Sequence, residues 1–164
     1  MYKQPGKRRK ELAGPDNTHV DDNRQWSRAS LRIFGETLQP EEIGTALGLV
    51  ATRSHLKGER RSSRHKAVWR GSAWLLQSPL ADESDMVDHL KWLIDVLEPK
   101  LDVIAELSNK YKIDFFCGFS SGNGQGGFRL DSLTLQRIAG FGIAFHLDLY
   151  PPPMETDDME SEQG

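Results

Sequence analysis

Several short segments of the chain are rich in apolar and aromatic residues and are bounded by turn-forming residues, which is typical of β-strands. In the first segment, Ala29, Leu31 and Ile33 alternate with three other residues, as in a strand that buries one face. A glycine-rich turn at 122–127 separates two of the segments. The segments predicted as strands are 29–34, 68–77, 113–119, 128–130 and 143–150.

Apolar residues spaced three and four apart predict helices between these strands. Pro40 and the two acids after it suit the first turn of a short helix, which Gly48 ends. A longer amphipathic pattern contains Pro99, which removes a backbone hydrogen bond and predicts a kink. Ser132 can cap the last helix. The long pattern is expected as one kinked helix or as two consecutive helices near 86–97 and 99–110.

This order of elements predicts an α+β fold with a single sheet and helices packed on it. Two strand-helix-strand halves flank a long kinked helix, an arrangement that is loosely ferredoxin-like. A doubly wound parallel sheet is the alternative. The predicted domain spans 28–150, because the basic segment 1–27 and the proline-rich, then acidic, segment 151–164 contain too few apolar residues to be ordered by burial.

Composition fits one domain, since the chain has 164 residues of which 37% are hydrophobic. The net charge of -3 excludes a uniformly cationic protein, but the charges are separated along the chain. The single cysteine, Cys117, excludes an intramolecular disulfide and fits a reducing compartment. We expect a cytoplasmic protein, because neither a membrane-spanning run nor the apolar part of a signal peptide is found.

The clearest chemical signal is the basic segment 52–70, in which Glu59 is the only acid. Its cations could bind the phosphates of RNA or single-stranded DNA while Trp69 stacks on a base. They could instead bind an acidic protein partner. A third interpretation is that they pair with acids of the same chain at the start of the long helix. Those acids are Asp82, Glu83, Asp85 and Asp88.

Candidate binding residues come from this segment and from the strand that follows it. Because one tryptophan of an alternating strand normally faces the core, we expect at most one of Trp69 and Trp74 to be exposed. The predicted binding residues are Arg53, Lys57, Arg60, Arg61, Arg64, Trp69 and Trp74.

Signals of catalysis are weaker. His146 and Asp148 share one face of the last strand and could form a proton-transfer pair, provided that both converge in a pocket. Gly122, Gly124 and Gly127 match a dinucleotide-binding spacing, but a predicted strand follows them where that motif needs a helix. No recognisable catalytic or metal-binding motif is present, so we expect a non-catalytic protein without a cofactor or metal.

A series of landmarks along 28–150 resembles the bacterial domain-of-unknown-function 4279 family. The landmarks are Ala29–Gly35, Leu38–Ile43, Leu47–Leu49, Thr52–Arg53, Lys57–Glu59, Gly71–Trp74, Phe128–Leu130 and Leu147–Tyr150. The resemblance carries over no catalytic residues. Some members look like immunity proteins encoded beside bacterial toxins, which implies a possible role in neutralising a toxin by binding. We therefore expect an intracellular protein-interaction domain, with a nucleic-acid-binding module using segment 52–70 as the alternative.

Overall fold

The computed structural model describes residues 25–62 and 65–150, which form a five-stranded mixed sheet, a separate two-stranded hairpin and helices. The α+β class is confirmed. The strands are β1 (Gln25–Gly35), β2 (Arg53–His55), β3 (Arg60–Ser62), β4 (His65–Val68), β5 (Ser72–Gln77), β6 (Lys112–Ser121) and β7 (Ala144–Tyr150). The helices are α1 (Pro40–Leu47), α2 (Met86–Leu97), α3 (Leu101–Ser108) and α4 (Ser132–Gly140).

The large sheet has the order β2-β5-β1-β6-β7, with the first strand of the chain at its centre. Strand β1 runs antiparallel to both β5 and β6, while β6 and β7 are parallel and are connected through α4. The alternative of a doubly wound parallel sheet is wrong, because β6–β7 is the only parallel pair among the described strands.

Strand register assigns the two faces of the sheet. Ile33 lies beside Trp74 on one side and Ile113 on the other, and these side chains belong to the face that packs against the helices. Burial of this apolar face is the main source of stability. The opposite face, called the open face below, carries partly exposed residues that include Arg32 and Phe116.

The boundaries of α1 and the break after α2 follow the sequence signals, whereas α4 is capped by Asp131 and not by the expected Ser132. Pro40 is at the start of α1, and Gly48 ends it in the left-handed conformation at φ 65°. A 3₁₀ turn at Glu98–Lys100 contains Pro99 and joins α2 to α3, so the predicted kink is confirmed. Within the described residues, none of the helices is long and apolar enough to cross a membrane.

Several predicted boundaries differ from the structure. Strand β1 begins at Gln25, before the expected domain start at 28. The predicted strand 68–77 is interrupted at 69–71, which separates β4 from β5. Residues 128–130 are not a strand. The predictions of disorder for 1–24 and 151–164 lie outside the described residues.

Candidate functional site

A cavity of about 790 Å³ lies where the β3–β4 hairpin meets the end of β1 and the turn between α3 and β6. This volume is in the range of natural ligand sites. We call it the basic aromatic groove. Its lining residues are Phe34, Gly35, Glu36, His55, Arg61, Val68, Trp69, Arg70, Gly71, Ser72, Ser108, Asn109, Lys110, Tyr111 and Lys112.

Hydrogen bonds continue the hairpin beyond β3 and β4 and connect it to β5. The amide of Gly58 donates to the carbonyl of Trp69 at 2.8 Å, and the amide of Trp69 donates to the carbonyl of Glu59 at 2.9 Å. The amide of Lys57 donates to the hydroxyl of Ser72 at 3.1 Å, which ties the hairpin to β5. These bonds fix the position of Trp69 at the groove.

The aromatic part of the groove is built around the Trp69 indole. His55 stacks on it with ring centroids 3.8 Å apart, and the guanidinium of Arg61 lies 4.4 Å from its centroid. Burial is the largest cause that lowers the pKa of His55, so this imidazole favours its neutral form. The contact with Arg61 is a cation–π interaction. Trp69 is therefore already engaged by two groups of its own chain.

The charged part of the groove is cationic. Arg61, Arg70, Lys110 and Lys112 line it, and none of them takes part in the salt bridges found within the described residues. The acidic lining residue Glu36 forms a salt bridge of 2.8 Å with Lys57, and this contact lowers the pKa of Glu36. The groove therefore favours an anionic group over a cationic one.

The predicted binding residues are only partly brought together. Arg61 and Trp69 line the groove, and Lys57 forms a salt bridge with the lining residue Glu36. Arg53 and Arg60 are exposed but are not among the lining residues. Arg64 lies outside the described residues.

The structure argues against Trp74 as a binding residue. Its side chain on β5 is 1% exposed and packs in the core, so it offers a partner almost no contact surface. The expectation that at most one of the two tryptophans is exposed is met, since Trp69 is partly exposed.

Thirteen of the fifteen lining residues were not among the predicted binding residues. They include Phe34 on β1, Lys110 and Tyr111 before β6, and Lys112 at its first position. The cation-aromatic-cation pattern of the last three is a local signal that could have identified them. Tyr111 packs on Gly35, where an added Cβ atom would lie 2.6 Å from the Tyr111 Cδ1 atom. Gly35 therefore allows this ring to reach the wall of the groove.

The interpretation that the basic segment pairs with acids of the long helix is wrong for Asp82. The Asp82 carboxylate accepts hydrogen bonds from the guanidinium of Arg28 and from Trp26 Nε1, at 2.6 Å and 3.0 Å. Arg28 belongs to β1, not to the basic segment. These contacts lower the pKa of Asp82, with the hydrogen bond from Arg28 as the largest cause.

His146 and Asp148 lie on the open face and do not converge in a pocket. Nδ1 of His146 is 3.3 Å from the Arg32 guanidinium, and its ring meets Phe116 edge-on. The Asp148 carboxylate instead raises the pKa of Tyr150 through a hydrogen bond. Within the described residues, no group of three or more potential metal ligands is found.

The glycine-rich turn does not have the geometry of a dinucleotide site. Gly124 and Gly126 have φ angles of 70° and 134°, which the tight turn after β6 requires. The amino end of α4 is capped by Asp131, whose carboxylate accepts a hydrogen bond from the Thr134 amide at 2.7 Å. A negative charge already occupies the position that a pyrophosphate would need.

Comparison with known protein families gives a match. Residues 24–152 match the family model described as "Domain of unknown function (DUF4279)". No curated protein and no solved structure matches the chain.

Proposed function

The chain belongs to the DUF4279 family, and we propose that it acts as a non-catalytic interaction domain that binds an acidic partner protein in the basic aromatic groove. The proposal rests on one observation. Arginine and lysine side chains line this groove, and they have no carboxylate partners among the described residues. The narrower form of the proposal is an immunity protein that neutralises a bacterial toxin by occupying its surface. Such a role needs a complementary surface and a few anchors instead of a catalytic centre.

The chemistry of the groove suits a carboxylate-bearing segment that also presents an apolar side chain. Arg61 and Arg70 can each form two parallel hydrogen bonds with a carboxylate. Phe34, Val68 and Tyr111 supply apolar and aromatic contact area beside these charges. Lys57 keeps Glu36 paired, which limits repulsion of an acidic partner.

The contacts that Trp69 already makes within the chain favour a protein partner over nucleic acid. Single-stranded nucleic acids bind through aromatic rings on which successive bases stack. The Trp69 ring already contacts His55 and Arg61, so a base would have to displace at least part of this arrangement. Nucleic-acid binding is therefore the less favourable use of the same surface.

Matched charge reversals test the proposal. The double variant Arg61→Glu and Arg70→Glu changes the groove, whereas Arg53→Glu and Arg60→Glu makes the same change in net charge outside its lining. Proteins captured from a lysate of the native host with the tagged full chain are identified, and the affinity of the purified partner is measured by calorimetry.

The groove variant should bind the partner at least about tenfold more weakly, while the control variant retains most of the affinity. Equal effects of the two variants would indicate a bulk charge effect and contradict the groove. Tight binding to single-stranded RNA or DNA that falls steeply with salt would support the nucleic-acid alternative instead.

A further inference from the structure

Strand β7 forms one edge of the five-stranded sheet and pairs with β6 on one side only within the described residues. The opposite edge strand, β2, has three residues, and short edge strands resist pairing with other chains. β7 is longer, at seven residues, and contains no Lys, Arg or Pro to discourage an added strand. The backbone groups along its outer edge are therefore available for a further strand.

The apolar face of β7 is only partly covered. Register places Phe145 beside Phe115, Leu147 beside Cys117 and Leu149 beside Phe119, so these side chains continue the core face of the sheet. Phe145, Leu147 and Leu149 are nevertheless 38%, 40% and 66% exposed. An additional strand beside β7 would extend the sheet and cover them.

We propose that the strand that covers this edge is β7 of a second copy of the chain, paired antiparallel about a two-fold axis at Leu147. Such a contact is isologous, with each residue pair occurring twice. Leu147 is the midpoint of Ala144–Tyr150, so this register pairs the whole strand. Pro151, Pro152 and Pro153 cannot donate backbone hydrogen bonds, which ends the pairing at Tyr150.

The same register is complementary in side-chain chemistry. On the core face, Leu147 meets Leu147 of the second copy and Phe145 meets Leu149. On the open face, His146 meets Asp148, and this pair occurs twice. A register shifted by two residues that centres on Asp148 would instead place two carboxylates opposite each other, which is unfavourable.

One contact within the chain prepares His146 for this pairing. Arginine has only donors, so the contact of Arg32 with Nδ1 of His146 requires that nitrogen to accept. Nε2 then carries the ring hydrogen and can donate to a carboxylate. This function of the two residues differs from the proton-transfer pair considered from the sequence, because each acts on the other copy of the chain.

Cysteine substitutions on the full chain test the register. In the variant Leu147→Cys the two introduced thiols face each other and should form an intermolecular disulfide under mild oxidation. In the control Leu149→Cys they are separated by four residues along antiparallel strands, about 13 Å, and should remain unlinked. The natural Cys117 is buried, and burial raises its pKa to about 12, so its contribution to cross-linking is small.

Sedimentation velocity over a concentration series tests the chemistry. The full chain should form a dimer as its concentration rises. Asp148→Lys should weaken dimerisation by about tenfold, because a lysine then faces His146 in two places. The exchange variant with His146→Asp and Asp148→His should restore most of the affinity. Glu106→Lys, on the exposed part of α3, makes the same charge change elsewhere and should have little effect.

Three outcomes would overturn the proposal. The first is a chain that stays monomeric at all concentrations and yields no disulfide with Leu147→Cys, which would leave the β7 edge to another segment of the same chain. The second is equal cross-linking of Leu147→Cys and Leu149→Cys. The third is a dimer that responds equally to Asp148→Lys and Glu106→Lys.

Discussion

The guanidinium of Arg32 donates two hydrogen bonds to the carboxylate of Asp114 across the neighbouring strands β1 and β6, at 2.8 and 2.7 Å. Each of the two side chains is 19% exposed. The guanidinium also lies 4.0 Å from the centroid of the Phe116 ring. Both charges are therefore held in a partly desolvated position on the open face, where each charge is stabilised by the other.

A double-mutant cycle with Arg32→Ala and Asp114→Ala tests this dependence. Each single substitution should lower the free energy of unfolding by about 2 kcal/mol, because it leaves a partly buried charge without its partner. The coupling energy should be at least about 1 kcal/mol. Urea denaturation at pH 7 provides the measurement. The exposed pair Lys57–Glu36 is the control, and a coupling there as large as that of Arg32–Asp114 would contradict the prediction.

The contact between Asp82 and Arg28 should make the folded state less stable in acidic solution. Because the folded-state pKa of Asp82 is lowered, its stabilising effect is complete above the ordinary value of 3.8 and is lost as the pH falls through the lower folded pKa. Asp82→Asn should therefore cost about 1 kcal/mol at pH 7, allowing for solvent screening. The difference from the natural chain should shrink below pH 3.8. A difference that stays constant with pH would assign the effect to packing instead.

Buried His89 on α2 should make stability fall in mildly acidic solution. Its side chain is 0% exposed, and burial is the largest cause that lowers its pKa. In the unfolded chain, His89 binds a proton as the pH falls through its ordinary value of 6.5, whereas the folded chain resists this protonation. The free energy of unfolding should thus decrease below pH 6.5, and His89→Leu should reduce that slope. An unchanged slope in this variant would show that other groups cause it.

Gly35 should be intolerant of a side chain because Tyr111 packs on it. Gly35→Ala places a Cβ atom 2.6 Å from Tyr111 Cδ1, and the overlap should cost about 1–3 kcal/mol while it moves the ring at the groove wall. The control is Gly140→Ala on α4, where nothing lies within 4 Å of the added atom. That change should be neutral or stabilise by up to about 1 kcal/mol. Equal thermal stability of the two variants would contradict the close contact.

The fold was predictable where a local pattern decides the structure. Pro40 and Gly48 bound α1, and Pro99 produces the kink between α2 and α3, because each acts through its own backbone. The short strands β2 and β3 were missed. Their sequences lack apolar alternation, and their pairing depends on β5 and β4, which local periodicity does not reveal.

The site was predictable only in part for a similar reason. Arg61 and Trp69 belong to a conspicuous basic segment, so composition identified them. Lys110 and Lys112 are distant in the chain and reach the groove because β6 pairs with β1 beside Phe34. Trp74 was misassigned since an aromatic residue next to a basic segment has the same sequence signature whether it faces a partner or the core.

The central position of β1 has a consequence for how the chain folds during synthesis. Both sheet partners of β1 follow it in sequence, and Gln25 pairs with Ser121 near the end of β6. Much of the domain must therefore leave the ribosome before the middle of the sheet can close, and long-range pairing of this kind is slow. Until then, the apolar side of β1 stays exposed, so the nascent chain is expected to depend on chaperones more than the finished domain does.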